Sequence, residues 1–416
     1  MKILQIPAYS NGERTASQHL SRNLSTAFDN EEIERIRICP VPSNISKDEQ
    51  KEWVKLSPIV SENGLTKTVY FPIFGEKPNT VQRIIRYFTV HFKQYRRAIK
   101  QKDADILRAS STPPTQGFMA SLIKKRLKIP FVYNLQDIFP DSLVTAKMTH
   151  KGSLIWKIGR KIEDYTYKNA DKIIVISEDF KKNIMDKGVP EDKIVVIPNW
   201  TDTDAVKPVD RAENTLFDKY NLDREKFYVC YSGNIGLSQN MDMLLNSAIK
   251  IKEKNADIVF VLIGDGADFK RVQSRIKGEN IDNVISLPFE PYEMVSSVFS
   301  LGDVDLIISK PGVGKSSVPS KTWDCMATER PILAAFDLDS KLCEIINTAK
   351  CGKCVASDDE NGFVSEILNL YENRDELKEL GQNGKKYLDE NLSKEKCLKM
   401  QIDLLYDTLK EKMAKE

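Results

Sequence analysis

Histidine is scarce in this chain: three in 416 residues, His19, His91 and His150, far apart in sequence and forming no ligand set. The one CxxC, Cys351 to Cys354, has no second pair and no nearby histidine, which argues against a zinc module. Seven cysteines, an odd number spread along the whole length, suit free thiols in a reducing compartment rather than a disulfide framework. No apolar run approaches the ~18 residues of a membrane-spanning helix. The opening MKILQIPAYS has no signal-peptide apolar region and reads as a first strand. The net charge is only +2, which speaks against a dedicated nucleic-acid binder. No repeat of 20–50 residues is visible, which removes solenoids.

What is present is β-branched sequence in short blocks. An apolar share of 41% supports packed cores, and the length suits two domains of about 200 residues. Strand-like runs fall at 2–7, 34–39, 105–110, 131–136, 172–177 and 193–198, then at 227–232, 257–264, 283–289, 304–309 and 331–336. Segments long enough for crossover helices separate them. Near-continuous apolar strands alternating with helices predict parallel sheets covered on both faces. Two such series predict an α/β chain of two doubly wound, Rossmann-like domains. The polar stretch PNWTDTDAVKP (198–208) marks the join, giving domains over 1–201 and 202–393. Leu398, Ile402, Leu405 and Leu409 stand at helical spacing in 394–416, a closing amphipathic helix packed on one of the domains, the first included. Ligands of such sheets bind beyond the carboxyl ends of the strands, so a cleft between the domains is the expected site.

Four loops after strands could hold a nucleotide. In CYSGNIGLSQNMDML (230–244), Gly233, Asn234 and Gly236 turn the chain and a helix begins near Gln239; glycines admit a phosphate close to the backbone and the helix start offers N–H groups. VLIGDGADFKRV places Gly266 similarly, and SLPFEP offers Phe289 as a wall for a base or as a core aromatic. The fourth, SKPGVGKSSVPSK (309–321), resembles the end of a nucleotide-triphosphate loop through Gly314, Lys315 and Ser316. Ser309 stands where that motif needs glycine, and Pro319 falls inside the helix it needs. A helix starting near Pro319 puts Ser320 and Lys321 in its first turn and Asp324 one turn on. A carboxylate there can accept two ribose hydroxyls, and Lys310, Lys315 and Lys321 are cations for a diphosphate; surface charge with a capping serine is the plain alternative.

These segments in this order resemble the GT-B glycosyltransferases, specifically the retaining family-four enzymes. The nearest branch is the N-acetylfucosamine-type transferases of bacterial O-antigen, capsule and exopolysaccharide synthesis. The resemblance covers nearly the whole chain. It rests on DADILRASSTPPTQGFMASLI (103–123), FVYNLQDIFPDS (131–142), the link 170–202, YSGNIGLSQNMDML, IGDGADFKRV, SVPSKTWDCMA and DLDSKLCEIINTAKCGKCV (337–355). It implies a UDP-sugar donor on the C-terminal domain, an acceptor on the N-terminal one, retention of configuration, and no cofactor or divalent metal. Asp324 matches the ribose-binding carboxylate, which is usually Glu. Ser316 stands where many relatives have a second Glu, and Asn234 and Gln239 stand where Arg and Lys are common. Lys315 and Lys321 could supply that charge.

Glycosyl transfer leaves negative charge on the departing diphosphate, which backbone N–H groups at Gly233 to Gly236 and the lysines could stabilise. Asp137, after a strand, is the candidate for assisting the acceptor proton, with a turn aspartate as the alternative. Gly12, Glu13 and Arg14 could complete the floor of the site. Segment 81–102 has seven Lys/Arg, including Arg86, Arg96 and Arg97, and no acid. Ile84, Phe88, Phe92, Tyr95 and Ile99 form one helical stripe. That stripe is expected to pack on the sheet, leaving a basic face for an anionic membrane. The expected partners are a UDP-sugar, a polyprenyl-diphosphate-linked glycan and the inner face of the plasma membrane, with the protein cytoplasmic and peripheral. A nucleotide-sugar epimerase or hydrolase of the same fold is the alternative.

Overall fold

The computed structural model describes residues 1–10, 18–42, 45–75, 80–145, 148–314 and 319–414. Contacts divide the chain into two compact units, Met1–Pro198 with Glu395–Glu416, and Asn199–Lys394.

The first unit is built on eight strands: β1 (Lys2–Gln5), β2 (Glu34–Pro40), β3 (Ile59–Val60), β4 (Thr66–Phe71), β5 (Ile106–Ser110), β6 (Phe131–Leu135), β7 (Lys172–Val175) and β8 (Ile194–Val196). Their order is β3-β4-β2-β1-β5-β6-β7-β8. All neighbours are parallel except β3 on β4. Every residue of β6 is buried, as expected of a strand covered on both faces. The sequence reading missed β3 and β4. At this edge TKTVYF mixes polar and apolar residues and buries only half of them, so no apolar run announces it.

The second unit carries β9 (Phe227–Ser232), β10 (Ile258–Ile263), β11 (Val284–Leu287), β12 (Val304–Ile308), β13 (Ile332–Phe336) and β14 (Gly352–Ala356). They form one parallel sheet in the order β11-β10-β9-β12-β13-β14. β9, β12 and β13 are buried at every position. β14 is another edge strand that sequence did not disclose; Cys354 lies in it and Cys351 is buried just before it.

The helix Lys394–Met413 belongs to the first unit through its body. It buries Leu398, Ile402 and Leu405. Gln401 accepts a hydrogen bond from Arg108 (2.7 Å) and Glu411 pairs with Lys172 (2.9 Å). At its start Lys394 pairs with Asp202 (3.0 Å) and with Asp204, so that pair of carboxylates serves an ion pair at the join.

Candidate functional site

In the second unit the turns after β9 and β10 are zipped together. Gly233 has φ +130° and Gly264 φ +153°, values that favour glycine. A Cβ on Gly264 would lie 1.9 Å from the Gly233 carbonyl oxygen, and one on Gly266 would lie 2.4 Å from that of Ile235. The N–H of Gly233 donates to Ile263 (2.9 Å), that of Ile235 to Asp265 (2.9 Å), and that of Gly236 to the Gln239 side chain (3.0 Å). The expectation that these amides cradle a diphosphate is therefore corrected at three positions. Their donors are spent inside the fold, and Gln239 shapes the turn. The helix that follows is Met241–Lys254, capped by Asn240.

Positive charge comes instead from Lys321, the first residue of the helix Lys321–Ala327. Its ammonium lies 3.4 Å from the centre of the Tyr231 ring and has no hydrogen-bond partner among the described residues. A Cβ on Gly233 would be 4.0 Å from the Lys321 Nζ, so the cation sits directly below that turn. The Tyr231 hydroxyl donates to the Asn234 carbonyl (2.7 Å), tying loop and cation through one ring. Burial pushes the Lys321 amine down to about 7, with Cys325 and Asp305 holding it up. Asp305 lies inside β12 rather than capping it; burial pushes it up to about 7, against a hydrogen bond from Cys325 and the charges of Arg330 and Lys321. An anion brought beside a lysine held this way would favour its charged form.

Asp324 lies on the same short helix. It accepts a hydrogen bond from Thr201, and burial pushes it up to about 7 against that bond. Thr201 and Tyr231 are neighbours of the candidate residues that sequence reasoning missed. They stand 123 and roughly 90 residues from their partners, and no local pattern points to either. Ser320 is exposed and caps the helix without a side-chain bond.

Phe289 is 66% exposed, so the core-aromatic alternative fails and a side chain is free to cover a flat ligand. Its neighbour Glu290 is buried and engaged by Lys219 (2.7 Å) and Tyr220. In the GVG loop the N–H groups of Gly312 (2.9 Å) and Gly314 (2.7 Å) donate to the Asp337 carboxylate. The protein's own acid fills the position a triphosphate would need. Lys315 and Ser316 lie outside the described residues, as do Gly12, Glu13 and Arg14.

In the first unit Asp137 follows β6 and lines a small recess with Tyr133, Glu163 and Tyr167. Part of its surface stays open, yet crowding by protein raises it above the usual aspartate range, against hydrogen bonds from Ser142 and the Ile138 N–H. That direction suits a proton acceptor.

The helix Thr80–Ala98 corrects the sequence reading. Its buried face is Arg86, Val90, His91, Gln94 and Ala98. The Gln94 amide donates to the carbonyls of Pro7 (2.7 Å) and Ile38 (3.2 Å), and Gln116 donates to Gln94 (3.1 Å) and to Ile6. This network at the ends of β1 and β2 decides which face turns inward. Arg86 is 0% exposed, over the Tyr9 ring at 5.2 Å, and cannot serve a surface. Arg97 lies over Phe71 (5.2 Å), and only Arg96 stays out, over Phe92 (5.6 Å). The apolar stripe points outward instead, with Phe88 70% and Phe92 61% exposed, and Ile84 and Ile85 about half.

Comparison with known proteins gives this arrangement its family. The profile described as Glycosyltransferase Family 4 matches residues 22–205, and that described as Glycosyl transferases group 1 matches 212–387, together most of the chain. The chain belongs to the GT-B glycosyltransferases. WbjE of Pseudomonas aeruginosa, described as a probable glycosyltransferase, is 25% identical over 339 residues, 81% of this chain and 83% of its own. WcaI of Escherichia coli (strain K12), named as a colanic acid biosynthesis glycosyl transferase, is 21% identical over 276 residues, 65% of this chain and 66% of its own. The structure of Anabaena Alr3699/HepE in complex with UDP superposes with a TM-score of 0.73 at 12% identity, covering 98% of this glycosyltransferase and 100% of that chain. That likeness establishes the GT-B fold of two Rossmann-like domains.

Proposed function

We propose that this glycosyltransferase moves an N-acetylated hexosamine or 6-deoxy-hexosamine from a UDP-sugar to a polyprenyl-diphosphate-linked glycan, with retention, in surface polysaccharide synthesis. The observation that carries the donor half is the Lys321 ammonium over Tyr231 below the Gly233 turn, with Asp324 on the same helix. In this reading the lysine meets the charge that develops on the departing diphosphate, Asp324 accepts the ribose hydroxyls, and Phe289 covers the base. In this reading no divalent metal is needed. Asp137 assists the acceptor proton. The UDP named with HepE and the colanic acid named with WcaI support a nucleotide-sugar donor and a polysaccharide product. The unit Asn199–Lys394, Thr201 included, would hold the donor and the unit built on Met1–Pro198 the acceptor.

The outward apolar stripe of Thr80–Ala98 supports a peripheral place on the inner face of the plasma membrane. Leu154, Ile155 and Ile158 of the helix Leu154–Asn169 are exposed too, beside the exposed Lys151, Lys157 and Lys161. Contiguous exposed apolar surface with cations marks an interaction face. No helix among the described residues is long and apolar enough to cross a membrane.

Thermal-shift titration with UDP, UDP-N-acetylhexosamines and ATP tests the donor. UDP should stabilise the protein and Asp324→Ala should weaken the shift. Equal shifts in both proteins remove Asp324 from the site. Free sugar or an epimer formed without acceptor would favour the hydrolase or epimerase reading.

A further inference from the structure

We infer that a groove in the first unit, between the helix Lys47–Leu56 and the chain leaving β4, binds a hydrocarbon chain ending in a phosphate. This rests on, and deepens, the reading of a lipid-linked acceptor. The groove measures about 700 Å³, within the ~300–1,000 Å³ of small-ligand sites. Its walls include Ile45, Val54, Ile73 and Phe74, and Gln50 and three lysines, Lys51, Lys55 and Lys93, also line it, with no carboxylate among the described lining residues. Apolar walls with a cationic rim fit an amphiphile whose only charge is anionic and terminal. A sugar would leave the walls unused, and a neutral lipid would leave the lysines unused.

The lysines stand on firm supports. Ser46 and Glu49 close a capping box at the helix start, the Glu49 N–H donating to Ser46 (3.2 Å) and the Ser46 N–H to the Glu49 carboxylate (2.8 Å). That interaction occupies Glu49, and Asp48 pairs with Lys51 (2.8 Å). Lys93 gives one of its three donors to the Pro72 carbonyl (2.8 Å). Burial and the Arg97 charge lower its pKa, a strain that a bound anion relieves. Phe74, in the groove, is itself 46% exposed, and the exposed Phe92 precedes the groove residue Lys93 in the chain. On the acceptor reading this inference rests on, the occupant is a single-chain prenyl-type phosphate.

Titration calorimetry with farnesyl phosphate, below its micelle concentration, tests this on the full chain. Saturable binding is expected, with farnesol and inorganic phosphate each at least tenfold weaker. Lys51→Gln with Lys55→Gln, two exposed positions, should weaken farnesyl phosphate at least tenfold and weaken co-sedimentation with phosphatidylglycerol vesicles far less. No saturable binding, farnesol bound as tightly, undiminished binding by the double variant, or equal loss of vesicles and farnesyl phosphate would each overturn the site. UDP titrations on the same samples separate the two readings. Farnesyl phosphate bound without UDP sinks the glycosyl-transfer reading alone; UDP bound without farnesyl phosphate sinks the groove alone.

Discussion

Replacing Lys321 with methionine should stabilise the unliganded protein, and most at low pH. The fall of this amine from 10.5 to about 7 corresponds to a cost of about 5 kcal/mol when the buried lysine is charged. Contact with the Tyr231 ring offsets up to ~2 kcal/mol, as a desolvated cation over an aromatic face does. The net expected gain is about 3 kcal/mol. Its sign against pH follows from linkage. The folded form carries the charge only below about 7, whereas an unfolded lysine stays charged to ~10.4. The cost is complete below the folded value and fades as pH rises through that window, so the methionine variant should gain most at pH 6 and almost nothing near pH 10. Urea unfolding at pH 6, 7, 8 and 9, followed by the fluorescence to which the buried Trp200 and Trp323 contribute, measures it. A variant less stable at pH 6, or a gain that does not change with pH, would show that the ammonium is not held sealed and strained.

Other expectations concern the neighbours of this lysine and the surfaces. Tyr231→Leu removes both the ring under Lys321 and the hydroxyl bond to the loop, and should weaken UDP about tenfold, ~1.4 kcal/mol; Tyr231→Phe, which keeps the ring, should cost about half that energy in calorimetry. Gly264→Ala drives a Cβ to 1.9 Å from a backbone oxygen and should destabilise by more than ~2 kcal/mol in urea unfolding, with the UDP shift lost. Phe88→Ser with Phe92→Ser should leave stability within ~0.5 kcal/mol, because both side chains are exposed, yet reduce co-sedimentation with anionic vesicles severalfold; retained vesicle binding would remove the stripe from the membrane. Lys187 bridges Asp141 (2.8 Å) and Glu163 (3.0 Å), and Lys187→Met should cost ~3 kcal/mol in urea unfolding, because Asp141 loses its ion-pair partner while Glu163 keeps Arg160.

The eleven strand-like runs all appear as strands because each is a short, mainly apolar block, a signal contained in a few adjacent residues. β3, β4 and β14, at or next to a sheet edge, escaped notice because they carry mixed polarity. The helix starting near Pro319 was legible from proline alone. The orientation of Thr80–Ala98 was not. Counting apolar spacing selects the Phe88 stripe as the buried face, whereas Gln94 and Gln116 find carbonyl partners just past β1 and in β2 that only the fold brings near. The glycines after β9 and β10 were visible as turns, but their amides answer to Ile263 and Asp265, a consequence of strand neighbours that local sequence does not reveal. Lys321 was legible as a cation. Its seat on Tyr231 and the Thr201 bond to Asp324 were not.

Proton uptake on binding UDP tests the central claim most directly. At pH 8 the carboxyls of Asp305 and Asp324 are already mostly ionised, whereas Lys321 is mostly neutral, and a diphosphate beside it must return its proton. Calorimetric titration with UDP in two buffers of different ionisation enthalpy should show close to one proton taken up at pH 8, and none in Lys321→Met. UDP bound with no proton uptake at pH 8, or with the same uptake in Lys321→Met, would contradict a donor site built on this lysine.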